Sequence, residues 1–284
     1  MIDRHSPDGP SARRRDDASV TDPLRVPFLD CEFDAVTMAQ AVARAVAWCR
    51  APRRPHLITT VNASTLVAMR RHPAFAAACR AGHLIVADGV PVVWAARLAG
   101  ASLPARVAGV DLMAHLLERA SESHLRVYFL GARAEVLDRL LAVCRDRYPG
   151  MQVAGARDGY FAATESAAIV DAIRASAADM LFVGMPSPFK EVWCHQHAAS
   201  LGVPVIMGVG GSFDVLSGTL RRAPGWMQGA GLEWLWRLLL EPRRMWKRYL
   251  VTNTIFLGLV VRETLRKRLG RFRTSALGQP GNLW

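Results

Sequence analysis

The feature that most constrains this chain is an alternation. Short runs rich in β-branched residues are separated by longer Ala/Leu-rich stretches whose apolar residues return every three or four positions. The runs at 56–61, 84–87, 126–130, 152–154, 180–183 and 204–207 predict strands. The stretches at 64–79, 111–121, 134–148, 165–177 and 189–201 predict crossover helices, several of them opening on a Ser, Asp or Thr suited to capping. Strand–helix alternation of this kind predicts an α/β fold with a Rossmann-like, mostly parallel sheet and flanking helices.

The 284 residues are 51% hydrophobic, enough for one substantial core. Residues 1–24 are rich in Arg, Asp, Ser and Pro without an apolar run, so they read as a disordered tail and not as a signal peptide. Residues 25–220 form the expected α/β catalytic core. Residues 221–273 form a basic, Trp-rich helical appendage, and residues 274–284 a flexible tail. The five cysteines are scattered without a Cys-x-x-Cys pair, which argues against a disulfide framework and a zinc site and fits a reducing cytoplasm.

The formal charge of +12 is unevenly placed, since residues 221–273 alone hold 13 Lys/Arg against 3 Asp/Glu. A local surplus of that kind implies an anionic partner: nucleic acid, anionic lipid or a phosphorylated ligand. Trp234, Trp236, Trp246 and Tyr249 interleave with Arg237, Arg243, Arg244, Lys247 and Arg248, the mixture expected of a helix at a lipid headgroup layer. A Trp-filled packing face with a solvated rim is the plainer alternative. The apolar run at 249–261 is well short of the roughly 20 residues a spanning helix needs, so the appendage is expected to lie on a membrane and not to cross it.

Ligands of open parallel sheets bind beyond the carboxyl ends of the strands. There the chain places Thr60 and Asn62, then Asp88-Gly89, then Gly184-Met185-Pro186, then Gly208-Val209-Gly210-Gly211-Ser212. Asp88 is positioned to serve as a general base, or merely to cap the next helix. Thr60 and Asn62 suit hydrogen bonds to a sugar or diphosphate, or simple strand termination. The Gly208–Gly211 turn lacks Gly-x-Gly-x-x-Gly spacing, which disfavours nicotinamide chemistry and leaves a phosphate cradle or a tight turn. No Asp-x-Asp is present, so diphosphate neutralisation by Arg, Lys or helix termini is expected in place of a metal, with Arg106 a candidate contact. Neither a metal nor another cofactor is called for. The histidines show no HExxH, and His195 and His197, two apart in a helical pattern, do not face one another.

Taken in order, Thr60-Val61-Asn62, Ala87-Asp88-Gly89-Val90-Pro91, Arg106-Val107-Ala108-Gly109-Val110-Asp111-Leu112, Gly159-Tyr160-Phe161, Gly208-Val209-Gly210-Gly211-Ser212-Phe213-Asp214, Arg222-Ala223-Pro224 and the run from Glu233-Trp234 to Tyr249 resemble the WecG/TagA/CpsF glycosyltransferase family. The resemblance extends from about Val26 to Phe256. It implies an inverting transferase that moves a hexose, commonly N-acetylmannosamine or its uronic acid and in some relatives glucose, from a UDP-sugar to a polyprenyl-diphosphate-linked sugar on the inner face of the plasma membrane. It makes Asp88 the base for the acceptor hydroxyl. Thr60, Asn62, Arg106, Gly184, Lys190, Glu191, Gly208, Gly210, Gly211 and Asp214 become the donor and acceptor pocket, and Arg222, Arg237, Arg244, Lys247 and Arg248 the acceptor-diphosphate and membrane contacts.

Where many relatives read Gly-x-Pro-Lys-Gln-Glu-x-Trp, this chain reads Gly184-Met185-Pro186-Ser187-Pro188-Phe189-Lys190-Glu191-Val192-Trp193. It is two residues longer and has no Gln, which resembles an exopolysaccharide branch of the family and leaves the donor sugar open. The competing readings are a basic nucleic-acid-binding α/β protein, which leaves Asp88 and the glycine turn unexplained, and a nucleotide-sugar-binding assembly subunit without turnover. The transferase reading implies no nucleic-acid partner, and a homo-oligomer stays open.

Overall fold

A computed structural model describes residues 23–276, apart from the side chains of 244, 245, 248 and 268–276. Of the expected disordered tail at 1–24, residues 1–22 lie outside the described residues; of the expected flexible tail at 274–284, residues 277–284 do, while 274–276 belong to the last helix. The elements run β1 (Arg25–Phe28), β2 (Cys31–Asp34), α1 (Met38–Arg50), β3 (His56–Val61), α2 (Ala63–Met69), α3 (Pro73–Arg80), β4 (Leu84–Ala87), α4 (Val90–Leu98), α5 (Gly109–Glu122) and β5 (Arg126–Gly131). They continue α6 (Ala134–Arg147), β6 (Gln152–Arg157), α7 (Ser166–Ala175), β7 (Met180–Gly184), α8 (Phe189–Leu201), β8 (Val205–Gly208), α9 (Ser212–Leu216), α10 (Gly225–Gly229), α11 (Glu233–Leu240) and α12 (Pro242–Ala276).

Among the described residues, six strands form one sheet in the order β4-β3-β8-β7-β5-β6, and every pairing is parallel. This is the α/β, Rossmann-like architecture that the alternation implies. Successive strand residues point to opposite faces. On one face Val86, Phe129, Phe182 and Met207 meet Ala45 of α1, Leu116 of α5, Leu140 of α6 and Phe213 of α9. On the other, Ile85 and Val61 meet α2, α3 and α4, while Leu130, Leu181 and Ile206 meet α7 and α8. Covering both faces is why the central strands read as continuous apolar runs without polar alternation.

Three departures from the sequence reading have local causes. The single helix expected over 64–79 is two, because Pro73 has no N–H to donate and forces His72 into an extended conformation (φ −130°, ψ 93°). Residues 25–34, to which the sequence reading assigns no element, form a two-stranded antiparallel hairpin, with Val26, Phe28 and Phe33 packed under the α2–α4 face. Residues 90–98 form a helix, α4, whose near-uniform apolar composition hides its period; Pro91 sits in its first turn.

The hairpin closes the free edge of β4. Asp34 Oδ2 accepts the Ile85 N–H at 2.6 Å, and Arg25 reaches the Gly82 carbonyl at 3.0 Å, so the strand that carries Asp88 has no bare edge on that stretch. The C-terminal helix is fastened to the core by Phe256 and Val260, which are buried among the α2–α4 side chains. Among the described residues no helix is long and apolar enough to cross a membrane. All five cysteines are free thiols.

Candidate active site

The end of β4 delivers Asp88 to the carboxyl edge of the sheet. Its N–H is held by the Val61 carbonyl at 3.0 Å, and Gly89 then turns with φ +138°, a conformation open to a residue without a Cβ. The N–H of Gly109, at the start of α5, donates to the Asp88 carboxylate. A methyl group added to Gly109 would sit 3.3 Å from Thr60 Cγ2 and 3.6 Å from Asp88 Oδ2, so Thr60, Asp88 and Gly109 converge on one point. Burial raises the Asp88 carboxyl above its ordinary range; Arg106 opposes this, Glu233 reinforces it, and the Gly109 N–H and Arg237 oppose it. The net effect is a carboxylate with increased proton affinity.

Around it stands a network of four charges. Arg222 grips Asp111 with both terminal nitrogens, the Nη2–Oδ2 contact being 2.8 Å. Its Nε also lies 3.4 Å from Glu233 Oε1. Arg106 lies 3.2 Å from Glu233 Oε2 and 3.6 Å from Asp111 Oδ2, and donates to the Gln228 carbonyl at 3.0 Å. Core residues Arg106 and Asp111 are thereby tied to Arg222, Gln228 and Glu233, which begin the basic appendage.

A second cluster lies two strands away. Lys190, on the first turn of α8, is buried and pairs with Glu191 and with Ser187 Oγ at 2.5 Å. Its aliphatic stem lies under the glycine turn, where a Cβ on Gly208 would come within 3.2 Å of Lys190 Cε. Gly210 adopts φ +52° beside the same stem. Glu191 Oε2 is buried without a hydrogen-bond partner, and Glu191 lines, with Thr60, Cys194 and Gly208, a cavity of about 20 Å³, room for about one water molecule. Thr60 therefore connects the Asp88 cluster to the Lys190 cluster.

The other expected residues are placed less directly. Asn62 caps α2, its Oδ1 accepting from the Thr65 N–H at 3.0 Å, which is the strand-terminating alternative in action. Gly184 packs directly against Phe213, whose ring would be 2.5 Å from an added Cβ. Gly211 faces Asp214, whose Oδ2 would lie 3.8 Å from an added Cβ. Arg237 is exposed yet near enough to Asp88 to act on it by charge. Lys247 is exposed over the Trp246 ring, its Nζ 5.4 Å from the centroid. The side chains of Arg244 and Arg248 lie outside the described residues.

Asp111, Gln228 and Glu233 take part in the site although sequence reasoning assigned them no role. Asp111 and Glu233 sit inside the segments that carry the family resemblance, but the pairings of Asp111 with Arg222 and of Glu233 with Arg106 each span more than a hundred residues and leave no periodic trace. Among the described residues no group of three or more His, Cys, Asp or Glu comes together to hold a metal.

The fold and the site define a Rossmann-like α/β protein with a carboxylate of raised proton affinity, flanked by arginines, at the carboxyl edge of its parallel sheet. The sequence model of the Glycosyl transferase WecG/TagA/CpsF family matches residues 26–270, and the chain belongs to that family. Two relatives carry the printed name N-acetylglucosaminyldiphosphoundecaprenol N-acetyl-beta-D-mannosaminyltransferase. The one from Bacillus spizizenii is 36% identical over 193 residues, 68% of this chain and 74% of the relative. The one from Bacillus subtilis is 33% identical over 211 residues, 74% of this chain and 81% of the relative.

Proposed function

We propose that this chain is an inverting, metal-independent glycosyltransferase that moves a hexose from a UDP-sugar to a polyprenyl-diphosphate-linked sugar during cell-surface polysaccharide assembly. The observation that carries the reading is Asp88: a carboxylate of raised proton affinity beside Thr60, at the sheet edge where α/β ligands bind. The names of the two Bacillus relatives support a lipid-linked acceptor sugar. N-acetylmannosamine, its uronic acid and glucose remain the donor sugars to be tested, with exopolysaccharide assembly as the setting.

In this reading Asp88 takes the proton of the acceptor hydroxyl while that oxygen forms a bond to the anomeric carbon from the face opposite the diphosphate. The bond from that carbon to the UDP oxygen breaks, and UDP leaves with the electron pair toward Lys190 and the backbone N–H groups of the Gly208–Gly211 turn, near Asp214. Arg106 and Arg222 stand on the Asp88 side, where an acceptor diphosphate would lie. The core at 25–220 supplies the chemistry, and the appendage at 221–273, with Arg237, Arg244, Lys247 and Arg248, covers the site.

The appendage also supports a peripheral position on the inner face of the membrane. Trp246, Leu250, Leu257, Val261 and Leu265 are exposed along α12, with Arg243, Lys247, Arg262 and Arg266 exposed among them. Apolar side chains entering the headgroup layer between cations that meet anionic lipid are the features of an interfacial helix. Sedimentation with anionic vesicles that is lost at high salt is the expected behaviour; equal binding to neutral vesicles would count against it.

The experiment is UDP release from a panel of UDP-hexoses, with and without a short-chain polyprenyl-diphosphate-linked sugar. Release that needs the acceptor and falls about 10²–10⁴-fold in Asp88→Asn is expected. Near-normal turnover by a folded Asp88→Asn protein would remove Asp88 from the mechanism, and no release from any donor would favour a binding subunit.

A further inference from the structure

We propose that Glu233 is a positioning residue for the reaction: its carboxylate fastens α11 over the Asp88 turn through Arg106 and Arg222, and so places a negative charge among the cations that face Asp88. The inference rests on the function proposed above and gives a role to a residue that touches neither the glycine turn nor the Lys190 cluster.

Glu233 opens α11 and shares its two oxygens between two guanidinium groups, Oε2 with Arg106 at 3.2 Å and Oε1 with Arg222 at 3.4 Å. Arg106 precedes α5 and Arg222 follows α9, so one carboxylate joins three parts of the chain. Two neighbouring contacts set the same approach. A Cβ on Gly231 would lie 2.9 Å from Val90 Cβ, which shows how closely the α10–α11 turn sits on the residues that follow Asp88 and Gly89. Trp236 Nε1 donates to the Arg221 carbonyl at 3.1 Å and fixes the roll of α11.

The electrostatic role follows from what faces Asp88. From the loop before α5 comes Arg106, from the start of α5 the Gly109 N–H, and from α11 both Glu233 and Arg237. Asp111 and Arg222 stand behind Arg106 and largely neutralise each other. Arg106, Arg237 and the Gly109 N–H all stabilise the ionised carboxylate and so weaken it as a base. Glu233 acts in the opposite direction twice, by repelling the Asp88 charge and by occupying Arg106. Arg106 and the α11 residue Arg237, cations suited to a diphosphate, would otherwise depress the base they face, and Glu233 offsets that effect.

The test follows the Asp88 carboxyl directly by ¹³C NMR titration of full-length protein labelled at Asp carboxyl carbons, with the Asp88 signal assigned by its loss in Asp88→Asn. The acidic limb of kcat/KM against pH is measured alongside. Glu233→Gln keeps the shape and removes the charge, so the Asp88 titration and the acidic limb are expected to move together to lower pH. The ratio of activity at pH 5.5 to that at pH 8 then rises above the wild-type ratio, while Glu233→Asp follows wild type. Arg106→Gln is expected to move the Asp88 titration upward, a reversal of sign that simple loosening of α11 does not produce. An Asp88 titration unchanged in Glu233→Gln, or a fall in rate without movement of the limb, overturns the proposal. If the NMR shifts appear and wild type transfers no sugar, the proposed function fails while the coupling of Glu233 to Asp88 stands.

Discussion

Replacing Asp34 by Ala tests whether the N-terminal hairpin holds the strand that presents Asp88. Asp34 is 4% exposed, and its Oδ2 receives the N–H of Ile85, which is itself buried. A hydrogen bond to a charged acceptor contributes about 1.5–3 kcal/mol, and its removal leaves the Ile85 N–H without a partner inside the protein. The ion pair to Arg25 at 3.2 Å adds little, because the Arg25 side chain is 40% exposed and water screens it. Asp34→Ala is therefore expected to destabilise the fold by about 2–3 kcal/mol, whereas Asp34→Asn, which retains an acceptor oxygen, loses about 1 kcal/mol. For a chain of this size each kcal/mol lowers Tm by roughly 2 °C, so the Ala variant should melt about 4–6 °C below wild type. Urea unfolding followed by circular dichroism, with both variants beside wild type, measures the difference. Losses below about 0.5 kcal/mol for Asp34→Ala, or equal losses for Ala and Asn, would refute the edge-closing role.

Gly184→Ala drives a methyl group to 2.5 Å from the Phe213 ring, and the overpacking is expected to cost about 1–3 kcal/mol in chemical unfolding. Phe256→Ala empties the buried seat of α12 on the core; about 3–5 kcal/mol is expected for a Phe truncated in a packed interior, and faster amide exchange over 242–267 than over the central strands would locate the loss. Burial pushes the Asp111 carboxyl up, but its hydrogen bonds with Arg222, that residue's charge and Arg106 outweigh burial and hold it below the usual carboxylate range. Its stabilising contribution is then complete above the unfolded carboxylate pKa and lost as pH falls through the folded value, so the acid-side decline in Tm should be shallower in Asp111→Asn. Asp88 carries the opposite sign: its folded pKa is raised, so the stability it contributes is present below the unfolded pKa and lost as pH rises through the folded one. Asp88→Asn is accordingly expected to melt higher than wild type at pH 7–8, and a lower Tm would refute the burial argument.

The sequence by itself determined the architecture and which residues stand at the carboxyl edge of the sheet. The central strands were legible, because a strand covered on both faces needs an unbroken apolar run and its crossover helix needs a 3.6-residue period, while the largely exposed edge strand β6 was legible only over its first half. The residues just past those strands, Asp88, Thr60 and the Gly208–Gly211 turn, were legible for the same reason, since a parallel sheet presents its carboxyl ends together. The β1–β2 hairpin was not, because four-residue strands closed by a two-residue turn are too short to establish a period. What only the tertiary structure decided is how charges far apart in sequence meet. Arg222 on Asp111, Glu233 between Arg106 and Arg222, and Lys190 beneath Gly208 depend on where helices come to rest after the core has packed. Periodicity reports which side of an element is buried, while an ion pair depends on the position of a side-chain tip in three dimensions, and no one-dimensional pattern encodes that.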